Sequence, residues 1–485
     1  MNHSAEQVSG KKRWIVLFSV VIVTFMSCVD ASIVNVALPV ISGDLKVPMS
    51  VVQWTVTTYL IVISGLILTF GRLGDIIGKA RVFRVGIIIF TLGSLLCGLS
   101  RNIEFLIISR AIQGLGAACT MANSQGIITA TFGIEERGKA LGISGLVVAL
   151  GTMIGPALGG IISELKWEYI FLINIPIGIF AIGLAFKVLP TVKVAKENRP
   201  KIDFIGTILF MITIISLVLA ITEGSIYGYT NKYILISFAI AIIAFIVFMI
   251  TQVKLTSPIL NLEIFKNHRF SKGIITSFLV FTATSSYTIL LPFYYESVRG
   301  ISPGYSGLLM MVFPIALSIF APLSGSLSDK MRREILPFIG LIVCGIGFLL
   351  ISTIKPETNI ALIAVYLFIM GAGNGLFQAP MNAVVMSSVK RNQLGIAGSM
   401  NGLVRNLGMI CGITFGTSLL YGLMSKKLGY TVRGFVRGQG KVFVSSMDTV
   451  LLIGTIICFV GVLITLSIIL KINKERKMAK LEEVK

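Results

Sequence analysis

Charge is scarce in this chain. Of its 485 residues only 13% are Asp, Glu, Lys or Arg, where a soluble domain carries about a quarter. Histidine is scarcer: His3 and His268 are the only two, both in polar segments. No HExxH or GxSxG occurs, which argues against zinc- and serine-dependent hydrolysis. The six cysteines (Cys28, Cys97, Cys119, Cys344, Cys411 and Cys458) all lie in apolar runs with no CxxC. They read as small buried residues, with no disulfide framework and no metal site. One GxxxxGK runs from Gly133 to Lys139, but Ala140 stands where a phosphate loop needs Ser or Thr, and no strand precedes it. No nucleotide or other cofactor is expected. Alternating polar and apolar residues, the mark of a membrane barrel, are absent too.

Apolar residues are what the chain has in excess. They make up 55% of it, and the mean hydropathy is +0.91. Runs of about 20 apolar residues recur, enough to cross a bilayer core of about 30 Å. No small-residue cleavage site follows the first run, so it reads as a retained span. The expected class is an all-α membrane protein with 14 transmembrane helices. We place them near 14–40, 50–71, 81–100, 103–131, 138–162, 168–188, 203–223, 232–252, 272–295, 305–327, 335–354, 360–387, 394–421 and 447–470.

The net charge of +21 does not point to nucleic acid, because the basic residues sit in short loops rather than on one soluble face. Their distribution orients the chain. With a cytoplasmic N-terminus, 29 of the 42 Lys and Arg fall inside and 11 outside, with Arg110 and Arg405 within spans. Both termini are then cytoplasmic. Five of the outside charges cluster in one loop (Lys426, Lys427, Arg433, Arg437 and Lys441). The basic tail from Lys471 reads as solvated and facing lipid headgroups.

An internal repeat organises the spans. Gly71, Leu73 and Asp75 return as Gly325, Leu327 and Asp329, 254 residues on (325 from 71). Gly142, Gly155 and Gly159 return as Gly395, Gly408 and Gly412, 253 residues on (395 from 142). The chain thus divides into an N-tail at 1–13, a six-helix half at 14–188 and a linker at 189–270 with two inserted helices. A second six-helix half at 271–470 and a C-tail at 471–485 complete it. Such repeats are typical of secondary transporters.

Five motifs carry a specific resemblance. Gly71-x-Leu73-Gly74-Asp75-x-x-Gly78-Lys79-x-Arg81 follows the second span. Arg110-x-x-Gln113-Gly114-x-Gly116-Ala117 lies in the fourth, and Gly151-x-x-x-Gly155-Pro156-x-x-Gly159-Gly160 in the fifth. Asp30-x-x-Ile33-Val34-Asn35-Val36-Ala37-Leu38-Pro39 lies in the first, and Phe171-Leu172-Ile173-Asn174-Ile175-Pro176-Ile177-Gly178 in the sixth. Together they resemble the major facilitator superfamily in its fourteen-span drug:proton antiporter branch. The resemblance implies a major facilitator fold and a multi-pass protein of a bacterial plasma membrane, driven by the proton gradient.

Asp30 lies about 24 Å into the first span, at 1.5 Å per residue. A carboxylate there is costly as an anion, so it can load a proton on one side and release it on the other. Arg110 lies at a similar depth; the resemblance assigns it to proton coupling, and a structural ion pair is the plainer role. Glu223 and Glu296, near outer ends of spans, are further coupling candidates. For substrate binding we select Asn35, Gln53, Trp54, Thr57 and Tyr59 in the first half and Asn374, Gln378, Asn401 and Arg405 in the second, as polar and aromatic groups within spans. The resemblance assigns gating to Gly71, Gly74, Asp75, Gly78 and Arg81, and to Gly151, Gly155, Pro156 and Gly159, with Asp329 as the copy of Asp75. Small residues at helical spacing let backbones approach closely, and Pro156 loosens its helix.

The expected function is proton-coupled export of amphipathic compounds, cationic drugs included, by a monomer whose only other partner is the bilayer. A lipid or glycolipid flippase of the same fold is the alternative. A non-transporting membrane sensor is a third reading, which a titratable carboxylate in the membrane argues against.

Overall fold

The computed structural model describes residues 11–132, 134–189, 203–255, 258–260, 262–330, 334–389 and 394–483. Among them there is no strand. The first run of helices is α1 (Lys11–Asp44), α2 (Met49–Val52), α3 (Trp54–Ile77), α4 (Lys79–Gly98), α5 (Ile103–Thr131), α6 (Ile134–Leu165), α7 (Tyr169–Leu172) and α8 (Asn174–Val188). Two helices come next, α9 (Phe204–Tyr227) and α10 (Lys232–Lys254). The rest is α11 (His268–Phe293), α12 (Pro303–Met310), α13 (Val312–Lys330), α14 (Ile335–Ile351), α15 (Ile360–Ser387), α16 (Leu394–Leu428) and α17 (Gly440–Glu483).

Among the described residues, twelve helical segments are long and apolar enough to cross a membrane, and two shorter apolar helices, Met153–Leu165 and Ile335–Ile351, accompany them. Several helices break where a proline lies just beyond. Pro176 cannot donate to the carbonyl four residues back, and the chain breaks at Ile173 between α7 and α8. Pro314 does the same between α12 and α13. The Gly71–Arg81 stretch, placed after the second span by the sequence, instead largely continues it. Gly71 and Gly74 lie inside α3, and only Gly78 leaves the helix, at φ 104°, before α4 resumes at Lys79. Nor does the basic C-tail leave the last helix at residue 470: α17 continues to Glu483.

The chain forms two compact units. One holds α1–α10 together with Tyr295–Leu308; the other holds Asn261–Tyr294 and the chain from Leu309. The inserted helices are therefore not a separate body. In the first unit α9 lies on α3, where the Met211 side chain occupies the space a Cβ on Gly65 would need. Thr69 and Thr207 share a hydrogen bond of 2.7 Å at the same seam. The outward faces of α9 and α10 are apolar, with Ile205, Ile243 and Val253 all exposed, as a lipid-facing surface requires.

The repeat is visible in the packing. In the first unit the small face of α6 lies on α1: a Cβ on Gly151 would sit 2.8 Å from the Cys28 Cβ, and one on Gly159 would strike the Ile33 carbonyl. In the second unit α16 lies on α11 in the same way, with Gly408 against Phe281 and Gly412 against the Thr282 carbonyl. Gly86 on α4 meets α5 at Gly116, and Gly340, 254 residues on, brings α14 onto α15 at Gly373. Tyr59 abuts Gly114, and Phe313 abuts Gly371.

Candidate functional site

Asp30 is fully buried in the middle of α1. Three donors from two other helices surround it. Arg110 Nη1 donates to Oδ2 at 2.7 Å, while Gln113 Nε2 and Asn174 Nδ2 donate to Oδ1 at 2.8 and 2.9 Å. Arg110 and Gln113 stand one turn apart on α5, and Asn174 begins α8 just past the break before Pro176. Every neighbour aimed at the carboxyl donates, a set that suits the acceptor-only carboxylate.

Arg110 is fixed independently of its charge partner. Its Nε donates to the Thr55 carbonyl at 2.9 Å, and Nη1 also donates to Gln113 Oε1. The guanidinium lies over the Tyr59 ring, 4.1 Å from its centroid, and 5.6 Å from that of Phe171. Gln113 Nε2 donates onward to Ser94 Oγ at 2.8 Å. One buried network therefore ties α1, α3, α4, α5 and α8 together. A buried ion pair contributes little to stability unless hydrogen bonds satisfy its remaining atoms; here they largely do. Arg110 Nη2 and the Tyr59 hydroxyl are buried without a protein partner.

The structure thus brings together Asp30, Arg110 and Tyr59 of the residues selected from sequence. Gln113, Asn174, Ser94 and Phe171 were not selected, although three of the four lie inside the motifs quoted for the resemblance. Tyr59 serves as the ring under Arg110 rather than as a free aromatic face. Asn35, Gln53 and Thr57 are buried, each with one side-chain oxygen lacking a protein partner, and Trp54 is half-buried at the start of α3. Such orphans call for water or a ligand. Glu223 lies near the end of α9 and Glu296 in a π-turn, Tyr294–Val298; neither bonds Asp30. The inner oxygen Glu296 Oε1 is buried without a protein partner.

Asp75, in the last turn of α3, pairs with Lys79 across Gly78. Arg84 donates from Nε to the Ala185 carbonyl at 3.1 Å and from Nη2 to that of Leu189. Arg81 is exposed. The Asp329 side chain lies outside the described residues. In the second unit Asn374 is buried and Gln378 and Arg405 are half-buried, while Asn401 Nδ2 donates to Asn382 Oδ1 at 2.8 Å.

The repeat does not duplicate the charged network. Thr284 lies 254 residues after Asp30, and Phe313 the same distance after Tyr59. With α5 and α15 aligned on Gly114 and Gly371, Leu367 and Met370 stand at the places of Arg110 and Gln113, both fully buried.

Comparison with known proteins identifies the family and the fold. The Major Facilitator Superfamily model matches residues 20–413. The riboflavin transporter RibZ of Clostridioides difficile (strain 630) is 36% identical over 470 residues, covering 96% of this chain and 99% of that one. The multidrug transporter protein MdtP of Bacillus subtilis (strain 168) is 30% identical over 421 residues, 86% of this chain and 76% of that one. A crystal structure of the peptide transporter POT in complex with sulfate matches with a TM-score of 0.64 over 93% of this chain and 94% of that one; at 15% identity the likeness is one of fold.

Proposed function

Because the chain belongs to the major facilitator superfamily, we propose that it is a proton-coupled secondary transporter that exports small amphipathic compounds, cationic drugs among them. The observation that carries this reading is the buried Asp30–Arg110 pair with its amide donors. A proton on Asp30 turns an acceptor into a donor. It sets that donor against Arg110, Gln113 or Asn174, so one of these bonds has to open. Arg110 is retained by the Thr55 carbonyl and the Tyr59 ring, so the strain falls on α1 and α8. The network then has two discrete arrangements, proton in and proton out, as alternating access requires.

In this reading all fourteen apolar helices cross a bacterial plasma membrane and both termini are cytoplasmic. Two six-helix halves flank the inserted pair, and the protein acts as a monomer without cofactor. Glu223 and Glu296 are the reserve proton sites. The Gly71–Arg81 stretch, Asp329 and the α6 glycines with Pro156 take part in gating. Multidrug relatives at 30% identity support a drug-like substrate. A second reading, a flavin-like substrate, is favoured by the riboflavin transporter, which matches nearly end to end at 36%.

The test is proton movement in proteoliposomes carrying an internal pH dye, with lipophilic cations, neutral drugs and riboflavin added in turn. Substrate-triggered flux is expected in the wild type and not in Asp30→Asn. Flux that survives in Asp30→Asn moves the proton site to Glu223 or Glu296. No flux with any compound defeats the reading.

A further inference from the structure

The second unit lacks the charged network of the first, and it has a polar feature the first lacks. On α16, Asn401 and Arg405 stand one turn apart. On α15, Gln378 and Asn382 do the same. The two rows meet where Asn401 Nδ2 donates to Asn382 Oδ1. All four side chains are half-buried. The matching positions in the first unit are Met121 and Gln125 on α5, with Val148 and Thr152 on α6. One amide survives there and the cation does not.

Arg405 lies eleven residues into α16, about 17 Å at 1.5 Å per residue, which is near mid-membrane. No ion pair or hydrogen bond holds its guanidinium among the described residues. An intramembrane cation without a counter-charge is costly and marks a place where a ligand or water completes the site. Asn401 Oδ1 supplies the second observation: it is a buried acceptor with no partner. The pair therefore offers a planar fork of donors and, one turn away, an idle acceptor.

We propose that this amide–arginine stripe recognises the cyclic imide edge of a planar substrate. Such an edge presents acceptor, donor and acceptor in a row. The guanidinium of Arg405 serves a ring carbonyl, Asn401 Oδ1 takes the ring N–H, and Gln378 reaches the other carbonyl. A fixed cation with no carboxylate beside it narrows the amphipathic compounds of the transport reading, favouring neutral ones over the cationic drugs. The inference deepens the transport reading by naming a substrate class, and it rests on that reading only for the steps after binding. A site built to hydrogen-bond a group discriminates strongly against the analogue that lacks it.

The experiment is a fluorescence titration of the full-length protein in lipid nanodiscs with lumiflavin, 3-methyllumiflavin (no imide N–H) and ethidium (a cation without the edge). Wild type is expected to bind lumiflavin about tenfold or more tightly than its methylated analogue. Arg405→Gln and Asn401→Leu should each weaken lumiflavin by a similar factor, with Arg405→Lys intermediate, while the thermal midpoint stays that of the wild type. Equal binding of the two flavins, no binding of lumiflavin, or full affinity in Arg405→Gln would overturn the proposal. A wild type that binds lumiflavin but moves no protons with any compound would defeat the transport reading and leave this one standing.

Discussion

Arg110 illustrates how a single charge is accommodated in a membrane protein. Its partner Asp30 is buried as completely as it is, so removing either leaves the other uncompensated. Arg110→Ala should therefore destabilise the purified protein by about 3–5 kcal/mol, read as a lowered unfolding temperature in detergent. The double variant Asp30→Asn/Arg110→Gln, which removes both charges, should lose much less than the sum of its parts. Additive losses would show that the two residues are not coupled. Asp30 and Arg110 were legible in the sequence because a charge in an apolar run is conspicuous. Gln113 and Asn174 were not, for neutral amides recur in these runs and the sequence does not say which of them reach Asp30. The i, i+3 spacing from Arg110 could have identified Gln113. Asn174 required the break before Pro176, which alone brings the start of α8 to Asp30.

At the scale of elements, the α6 glycines are not equivalent. A Cβ on Gly155 meets first the Ser32 hydroxyl, which can rotate, and then the Ser32 Cβ at 2.9 Å, whereas one on Gly159 meets the Ile33 carbonyl, which cannot move aside. Gly159→Ala should cost about 1–3 kcal/mol and abolish transport. Gly155→Ala should cost less than Gly159→Ala, and less again with Ser32→Ala, which removes the nearest atom. Melting curves and uptake of a fluorescent substrate decide it; equal losses at the two positions would refute the distinction. Gly78 is special for a different reason. At φ 104° an alanine is strained by about 1–3 kcal/mol, and Gly78→Ala should lower the melting temperature through the backbone alone. Glycine spacing in the sequence disclosed the α6 face, because helical period and small size are both local properties. It did not disclose that α3 runs on past Gly71 to Ile77, where Gly74 serves a helix contact: a Cβ there would strike the Asn123 side chain of α5.

At the scale of the whole molecule, the twofold repeat was readable from two matched motifs, and the packing extends it to three helix pairs in each unit. The number of crossings was less readable, since length and hydropathy are graded quantities. α14 has 17 residues, about 26 Å of helix, slightly short of a bilayer core of about 30 Å. In a cysteine-free background, a cysteine at Thr358 should react with an impermeant maleimide on intact cells, and one at Glu334 only after permeabilisation. Labelling of both from one side would remove α14 from the spans. The repeat also has an electrical consequence. Thr284 occupies the place of a second Asp30, so the buried network holds one carboxylate per chain. On the proposed exchange, one proton entering for one neutral molecule leaving carries net current, and the membrane voltage adds to the driving force. One proton for one monovalent cation carries none, and only the pH difference drives it. A potassium diffusion potential imposed with valinomycin should accelerate the first kind of export and leave the second unchanged.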